Sequence, residues 1–270
     1  LLIWGRTYDN EKLIKRGKAI LGRLEKIERI EKPILEQRRM DLALAGWRGS
    51  NKVMELTDVD KVFPAQYQDG ALVQAENLVL AGLKLLLWHG ERVGLVGPNG
   101  AGKSVLFRLL LGEEAPTGGT ITIGPSVRIG YYAQEHESLD YNATLIETVR
   151  NAAHFSESNA VSFLGKFLFN YEQARGPVSA LSGGERSRLQ MALLTLTNAN
   201  FLLLDEPTNN LDIAAAEVLE DALADFEGTL LVISHDRYFL DRVVDRIVEL
   251  DNGTLTEFIG NFSDYQAAKQ

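Results

Sequence analysis

The sequence predicts an α/β fold built around a parallel sheet. Three short apolar runs, at Arg92–Val96, at 201–204 and at Thr229–Ile233, each lead into a segment with helical periodicity. A continuous apolar run of this length is typical of a strand that is buried on both faces. Strands that alternate with helices in this way indicate a parallel sheet covered by helices.

The stretches around these three strands predict two smaller parts. Short strands separated by turn residues are predicted at 53–56 and within 72–87, and they indicate an antiparallel β subdomain. Residues 143–175 are predicted to be largely helical, so we expect a helical subdomain at about 135–185. The main domain is therefore expected to span residues 52–270.

Residues 1–51 predict a helical linker that precedes this domain. Within 10–39, apolar residues recur at helical intervals among charged ones, Pro33 predicts a kink or short break, and the small residues of 46–51 predict a connecting segment. The first 52 residues hold 13 Lys and Arg against 7 Asp and Glu, whereas the rest hold 15 against 30. The acidic body is expected to repel nucleic acid, while the basic helix either contacts a phosphate backbone or is simply a solvated charged helix.

The composition indicates a globular protein from a reducing compartment. With 270 residues and 45% hydrophobic content, the chain can bury one large core or two small ones. It has no apolar run of the roughly 18 residues that a membrane-spanning helix needs. We therefore expect no membrane partner. The chain also has no cysteine, which fits a reducing compartment, so we expect a cytoplasmic location. The sequence begins with Leu1 rather than Met, and we expect it to be a fragment of a longer protein.

A glycine-rich stretch between the first apolar strand and its helix predicts a phosphate-binding loop. It fits the pattern GxxxxGK[ST] and consists of Gly97, Pro98, Asn99, Gly100, Ala101, Gly102, Lys103 and Ser104. Glycines let backbone N–H groups turn toward phosphate oxygens, and the helix N-terminus adds positive potential. Lys103 is expected to reach the outer phosphates of ATP, and Ser104 is expected to bind Mg²⁺.

Two carboxylates and a histidine follow the other two strands. Asp205 and Glu206 come after the strand at 201–204, and His235 comes after the strand at Thr229–Ile233. Since the carboxyl ends of parallel strands meet at one edge of a sheet, these side chains are expected beside the phosphate loop. Asp205 is expected to hold Mg²⁺ through its water shell, and Glu206 to accept a proton from the water that attacks the γ-phosphate. His235 is expected to contact that phosphate or that water.

A second glycine-rich stretch precedes another amphipathic helix. It consists of Leu181, Ser182, Gly183, Gly184 and Glu185. A hydroxyl and backbone N–H groups at a helix N-terminus suit an anion. Because one chain is not expected to fold both loops around a single nucleotide, we expect a site that is shared across an interface.

Together, these motifs resemble the motif set of an ATP-binding-cassette ATPase over about 53–270. The resemblance implies a P-loop NTPase fold in which a parallel core sheet is joined by an antiparallel β subdomain and a helical signature subdomain. It implies that Gln134 contacts nucleotide and magnesium, that 181–185 is a signature loop acting in trans, and that Asp212 lies in the D-loop at the interface. It also implies that two such domains close head to tail on two ATP molecules.

Within that superfamily, the sequence is similar to the ABC-F group, whose soluble tandem-cassette members act on ribosomes. The stretches that carry the similarity are DEPTNNLD at 205–212, SHDRYFLDRV at 234–243 and GNFSDY at 260–265, with the basic helix at 10–32 resembling the second helix of the linker between cassettes. The similarity implies a C-terminal cassette with part of its linker. It further implies a second cassette as partner, and ribosomal RNA or tRNA near the linker.

Three positions depart from the family pattern or leave it open. Val105 stands where Thr is usual, which removes a hydroxyl near the α-phosphate of the bound nucleotide, and Asn210 replaces a common His near the D-loop. The adenine-stacking aromatic residue is expected to be Phe63, with Tyr67 as the alternative. The stretch 66–71 resembles an insertion that places Phe63 far before the phosphate loop.

The predicted function is Mg²⁺-dependent ATP hydrolysis coupled to an action on the ribosome. One alternative is the nucleotide-binding subunit of a membrane transporter, and another is a scaffold that binds ATP without hydrolysing it. The basic N-terminal helix argues against a transporter, as does the stretch 208–210 (TNN), where transporters usually have a Ser-Ala pair. Glu206 favours turnover over a scaffold role, because it supplies the proton acceptor that hydrolysis needs.

Overall fold

A computed structural model describes residues 40–68, 71–133 and 139–269, with the backbone alone at 66–68 and 71–74. The helix predicted within 10–39 lies outside the described residues. The strands are β1 (Lys52–Phe63), β2 (Gln66–Gln68), β3 (Ala71–Gln74), β4 (Asn77–Trp88), β5 (Arg92–Val96), β6 (Gly118–Ile123), β7 (Ile129–Tyr132), β8 (Phe201–Asp205), β9 (Thr229–Ile233), β10 (Arg246–Asp251) and β11 (Thr254–Ile259). The α-helices are α1 (Lys103–Leu111), α2 (Leu145–Ala153), α3 (Glu157–Lys166), α4 (Tyr171–Arg175), α5 (Gly183–Leu196), α6 (Ile213–Ala224), α7 (Arg237–Val243) and α8 (Phe262–Ala268).

The central sheet confirms the predicted α/β class. Its strand order is β11-β10-β5-β9-β8-β7, and the five strands from β10 to β7 are parallel, while β11 is an antiparallel edge strand. The three strands that the sequence predicted, β5, β9 and β8, lie next to one another in the middle. Their carboxyl ends therefore share one edge, which is where parallel sheets place their functional groups.

Both faces of this sheet are buried, and alternate residues of its strands supply two separate cores. Leu202 and Leu204 of β8 pack into one core with α5 and the helices of 145–175. Phe201 and Leu203 pack into the other with α1 and the antiparallel sheet. The period of two along a strand explains why these runs are apolar at every position.

A three-stranded antiparallel sheet of order β4-β1-β6 forms the predicted β subdomain. The predicted short strand at 53–56 was wrong in length, because β1 runs for 12 residues. Register shifts between Leu56 and Val59 let the strand continue past Asp58, which adopts a left-handed φ of 49°. The stretch 66–71, predicted as an insertion, lies largely within the separate two-stranded hairpin β2–β3.

Three helices, α2, α3 and α4, follow one another within the stretch predicted to be helical. Thr144 and Asn170 begin α2 and α4 with reciprocal capping boxes, and Ser156 caps α3. Phe167, only 1% exposed, joins Leu164 in the core of this region. Each of the three helices thus begins with a side-chain cap that satisfies backbone N–H groups at its N-terminus. Such caps stabilise short helices that are joined by short connections.

Residues 40–51 form no helix or strand, yet they pack on the domain. The Asp41 N–H donates to the Lys166 carbonyl at 3.0 Å, and the Trp47 indole N–H donates to the Asn198 carbonyl at 3.1 Å. A Cβ on Gly46 would lie 2.5 Å from the Gly228 nitrogen. Glycine therefore permits close approach at position 46.

Among the residues that the structure describes, no helix is long and apolar enough to cross a membrane.

Candidate functional site

Three loops from neighbouring strands meet at the carboxyl edge of the central sheet. The phosphate loop follows β5, β8 ends at Asp205 and is followed by Glu206, and Ser234 and His235 follow β9. The residues predicted at separate places in the sequence therefore lie around one cavity of about 720 Å³. The cavity is lined by Phe63, Asn77, Val79, Asn99, Gly100, Gly102, Lys103, Ser104, Val105, Asp205, Glu206, Asn209, Ile233 and His235.

The phosphate loop has a backbone that only glycine adopts freely at its two ends. Gly97 has φ 147°, and a Cβ there would lie 2.1 Å from the Leu250 carbonyl oxygen. Gly102 has φ 104° and precedes α1 without any side-chain cap. The first N–H groups of α1 are thus left to a ligand, as an anion site requires. Pro98 and Ala101 join the loop through an Ala101 N–H to Pro98 carbonyl bond of 3.2 Å.

Lys103 is the buried cation of this loop. Its ammonium donates to the carbonyls of Gly97 at 2.8 Å and Pro98 at 3.0 Å. Burial lowers the pKa of Lys103, while the nearby charges of Glu206 and Asp205 oppose that effect. An ammonium held against its own loop, 8% exposed, is suited to exchange carbonyl partners for phosphate oxygens.

Ser104 and Asp205 form the oxygen pair that fits a magnesium ion. The Ser104 hydroxyl lies 3.5 Å from Asp205 Oδ2, and both residues line the cavity. Within 40–68, 71–133 and 139–269, no cluster of three or more His, Cys, Asp or Glu residues forms a metal site by itself. Magnesium in nucleotide enzymes takes one or two protein oxygens together with phosphates and waters, so this pair fits it.

Glu206 is a buried carboxylate in which one oxygen accepts a hydrogen bond and the other accepts none from the described residues. The His235 N–H donates to Oε2 at 3.2 Å, and His235 Nε2 lies 3.5 Å from Oε1, which accepts no hydrogen bond from the described residues. Burial raises the pKa of Glu206, and the His235 N–H bond opposes it. A carboxylate with a raised pKa and a free lone pair is equipped to take a proton from water.

Three apolar side chains in the lining of the cavity suit a nucleobase. Phe63 ends β1 and lines the cavity with Val79 and Val105. Tyr67, the alternative stacking residue, lies in β2, and its side chain lies outside the described part of the chain. Gln134 also lies outside the described residues, so its predicted contact with nucleotide and magnesium stays a prediction.

The second glycine-rich loop does not line this cavity. Ser182 and Glu185 form a reciprocal capping box at the start of α5: the Glu185 N–H donates to Ser182 Oγ, and the Ser182 N–H and hydroxyl both donate to the Glu185 carboxylate. Ser182 and Gly183 are exposed, Leu181 is buried, and a Cβ on Gly184 would lie 2.9 Å from the Asn210 carbonyl oxygen.

Asp212, predicted in the D-loop, has a structural contact of its own. Its carboxylate caps α6 by accepting the Ala215 N–H at 2.8 Å. The neighbouring Ile213 is 82% exposed, which is unusual for a large apolar side chain that follows a cap. Helix α6 therefore begins with an exposed apolar residue at its first position.

Asn77, Val79, Asn209 and Ile233 line the cavity without having been singled out in the sequence. Asn77 faces the site because it pairs with Phe63 across the antiparallel sheet. No short motif marks such a residue, since its place depends on strand register. Asn209 lies within the DEPTNNLD stretch, three residues after Glu206. That proximity was the signal in the sequence that could have predicted its place in the cavity lining.

The comparisons with known proteins agree with this geometry. A family model described as ABC transporter matches residues 80–209. The chain is 37% identical over 261 residues to the energy-dependent translational throttle protein EttA of Escherichia coli K12, covering 94% of this chain and 45% of EttA. The chain is an ATP-binding cassette of the ABC-F type. It is also 36% identical over 257 residues to the putative ATP-binding protein YdiF of Bacillus subtilis, covering 94% of the cassette chain and 38% of YdiF.

A solved structure confirms the fold of the cassette. The dimeric structure of the ATP-binding cassette MJ0796 in a post-hydrolysis state, bound to ADP and Pi, matches 76% of this chain and 98% of its own at a TM-score of 0.63 and 22% identity. The cassette chain thus spans less than half the length of EttA and YdiF, while it spans nearly all of that single cassette.

Proposed function

We propose that this cassette hydrolyses ATP with Mg²⁺ as part of a pair of cassettes. The observation that carries the proposal is the placement of Lys103, Glu206 and His235 around one cavity that also holds the Ser104–Asp205 oxygen pair. A cation, an oxygen pair and a buried carboxylate are the groups that phosphoryl transfer to water requires. The family resemblance of the motifs supports the same chemistry.

The proposed roles follow from the contacts of each side chain. Lys103 and the N–H groups at the start of α1 bind the phosphates. Ser104 and Asp205 hold Mg²⁺, together with Gln134, and the ion neutralises charge on the phosphates when bound. Glu206 takes the proton of the attacking water, and His235, 3.5 Å from Glu206 Oε1, orients the γ-phosphate or that water.

The signature loop is proposed to act on the nucleotide of a partner cassette. Ser182 and Gly183 are exposed and lie outside the cavity of their own chain, which supports a role in trans. A head-to-tail pair would place this helix N-terminus at the γ-phosphate held by the partner's phosphate loop. Hydrolysis then removes the group that both halves contact, which loosens the pair.

Replacing Glu206 by Gln tests the proposed chemistry. The variant keeps the hydrogen bond from the His235 N–H but removes the proton acceptor, so we expect ATP binding with turnover lowered by about 100-fold or more and a stable ATP-bound pair. Phosphate release and size-exclusion chromatography with ATP measure the two effects. Glu227→Gln, on the loop before β9 at the opposite edge of the sheet, is the matched control and should behave as the parent. Unchanged turnover in Glu206→Gln would remove Glu206 from its role.

We further propose that closure of the pair acts on the ribosome, in the cytoplasm. The name of EttA as an energy-dependent translational throttle, the ABC-F stretches and the basic segment 10–32 support this step. The test is co-sedimentation of the full-length protein carrying Glu206→Gln with purified ribosomes, with and without ATP. Pelleting that depends on ATP is the expected result. Intact ATP binding without ribosome association would move the partner toward a transporter's membrane subunit or another complex.

A further inference from the structure

We propose that Lys61 is a positioning residue for nucleobase binding. Its ammonium contacts one face of the Phe63 ring and holds the ring in place, so that the base stacks on the other face. The inference rests on the proposed function, because it takes Phe63 as the stacking residue. It adds a residue that lies outside the cavity and that no motif of the sequence marks.

The contact between the two side chains carries the proposal. Lys61 and Phe63 stand two residues apart at the end of β1, and the Lys61 ammonium lies over the Phe63 ring, 5.0 Å from its centroid. The Lys61 side chain is only 12% exposed. A cation over the face of an aromatic ring is attracted to it, and burial strengthens that attraction.

Fixed partners hold the Lys61 ammonium in place. It donates to the Ala115 carbonyl at 2.9 Å and pairs with Glu114 Oε2 at 2.8 Å. The neighbouring Lys61 ammonium is the main cause that holds the pKa of Glu114 below its usual value, which favours the charged carboxylate as its partner. Lys61 is therefore held on three sides, by a carbonyl, a carboxylate and a ring.

The same network reaches the helix of the phosphate loop. Arg108 of α1 donates from Nε to Glu114 Oε1 at 2.7 Å, and the Arg108 carbonyl accepts the Glu114 N–H at 3.3 Å. Helix α1 begins at Lys103, which lines the proposed phosphate site, and Arg108 in its last turn holds Glu114, the partner of Lys61. One rigid helix thus sets the distance between the phosphate site and the ring that is proposed to bind the base.

The network explains why Phe63 can serve as a stacking surface at the end of a strand. A strand end before a separate hairpin leaves an aromatic side chain free to change rotamer, and stacking then has to restrict it. A ring already held on one face loses less freedom on binding. The expected consequence is a contribution to affinity that appears only for ligands that carry a base.

The experiment compares ATP with inorganic tripolyphosphate, both with Mg²⁺, by calorimetric titration of this chain. In Lys61→Met, which removes the charge but keeps an unbranched apolar side chain, we expect ATP affinity to fall by about fivefold while tripolyphosphate affinity is unchanged. Lys61→Arg should restore ATP affinity because a guanidinium also stacks on a ring and pairs with a carboxylate. Glu114→Gln, which weakens the anchor without touching the ring, should give a smaller loss of the same kind.

Two further variants separate this inference from the proposed function. Lys84→Met removes an exposed ion pair with Asp58 in the same antiparallel sheet and should leave both affinities unchanged. Phe63→Ala should lose ATP affinity selectively. If Phe63→Ala has no selective effect, the proposed stacking residue is wrong. Phe63→Ala could instead lower ATP affinity selectively while Lys61→Met lowers the affinities for ATP and tripolyphosphate equally, or lowers neither. In that case the positioning role of Lys61 is refuted and the stacking role of Phe63 stands.

Discussion

The two glycine-rich helix N-termini of this chain differ in what satisfies their backbone donors. Helix α1 begins after Gly102 with no side-chain cap, whereas α5 begins after Ser182 with a complete capping box. The first end lies in the cavity, where its N–H groups have no side-chain cap and are placed to meet a ligand. The second is exposed, and its own Glu185 completes it in the single chain. An uncapped N-terminus marks the site that a ligand must complete, and a capped one marks a surface that is stable before its partner arrives.

A side-chain cap introduced at the start of α1 should remove the difference between the two helix N-termini, and we expect it to have the largest effect on ATP binding. Gly102→Asp places a carboxylate where phosphate is proposed to bind, and its Cβ would lie 2.7 Å from Val79 Cγ1, so we expect ATP affinity to fall by at least about 100-fold. Gly112→Asp is the control at the other end of α1, because Gly112 also has a positive φ and has open space around its Cβ. Gly112→Asp should lose about 1–2 kcal/mol of stability from its left-handed backbone, and Gly102→Asp more because its Cβ also crowds Val79, but only Gly102→Asp should lose nucleotide in a titration.

Removing the cap of α5 should separate stability from turnover. Ser182→Ala is expected to cost about 1 kcal/mol of unfolding free energy, to leave ATP binding by the single chain unchanged, and to lower turnover of the pair. Thr144→Ala removes the equivalent cap of α2 and should cost similar stability without affecting turnover. Urea unfolding and phosphate release measure the two quantities. Equal turnover in both variants would argue against a role for Ser182 in trans.

The capping carboxylate of α5 should make stability depend on pH. The N–H and hydroxyl of Ser182 lower the pKa of Glu185 in the folded chain, with the backbone bond the larger cause. A lowered folded-state pKa adds stability above the unfolded value, near pH 4.5, and that stability is lost as pH falls through the folded value. The difference in unfolding free energy between the parent and Glu185→Gln should therefore shrink from pH 7 to pH 3. A difference that is constant across this range would contradict the account.

The smallest expected effect is at the position after the phosphate loop. Val105→Thr adds a hydroxyl to a residue that lines the cavity, where the family pattern places one near the α-phosphate. One added hydrogen bond of modest net strength should tighten ATP and ADP alike by about two- to threefold. Calorimetric titration of both nucleotides checks this. A gain for ATP alone would place the hydroxyl near the γ-phosphate instead.

The strands of the central sheet and the residues that follow them were predictable because each carries a local signal. Residues 92–96, 201–204 and 229–233 are short apolar runs, and parallel pairing at one edge is enough to bring their ends together. The full length of β1 was not predictable, since a left-handed Asp58 carries the strand past a point where the alternation breaks.

The lining of the cavity near Phe63 and the capping of α5 could not be predicted from the short motifs alone. Asn77 lines the cavity through its register with Phe63, and Lys61 lies on that ring because a distant loop supplies Glu114. Ser182 and Glu185 were predicted only as an anion site, although the spacing S-x-x-E also specifies a capping box. The stretch 182–185 fits both an anion site and a capping box. The structure of α5 was needed to show that the capping box is formed.

Glu206 combines a left-handed backbone with a buried carboxylate. Its backbone has φ 49°, a left-handed conformation that side chains other than glycine adopt at a cost, and its N–H is tied to the Ile233 carbonyl at 2.8 Å. Its carboxylate adds a second cost by being buried. A library randomised at this codon and selected only for heat resistance should therefore drift toward glycine. One selected for growth that depends on turnover should retain glutamate, as expected if Glu206 serves the proposed hydrolysis at a cost in stability.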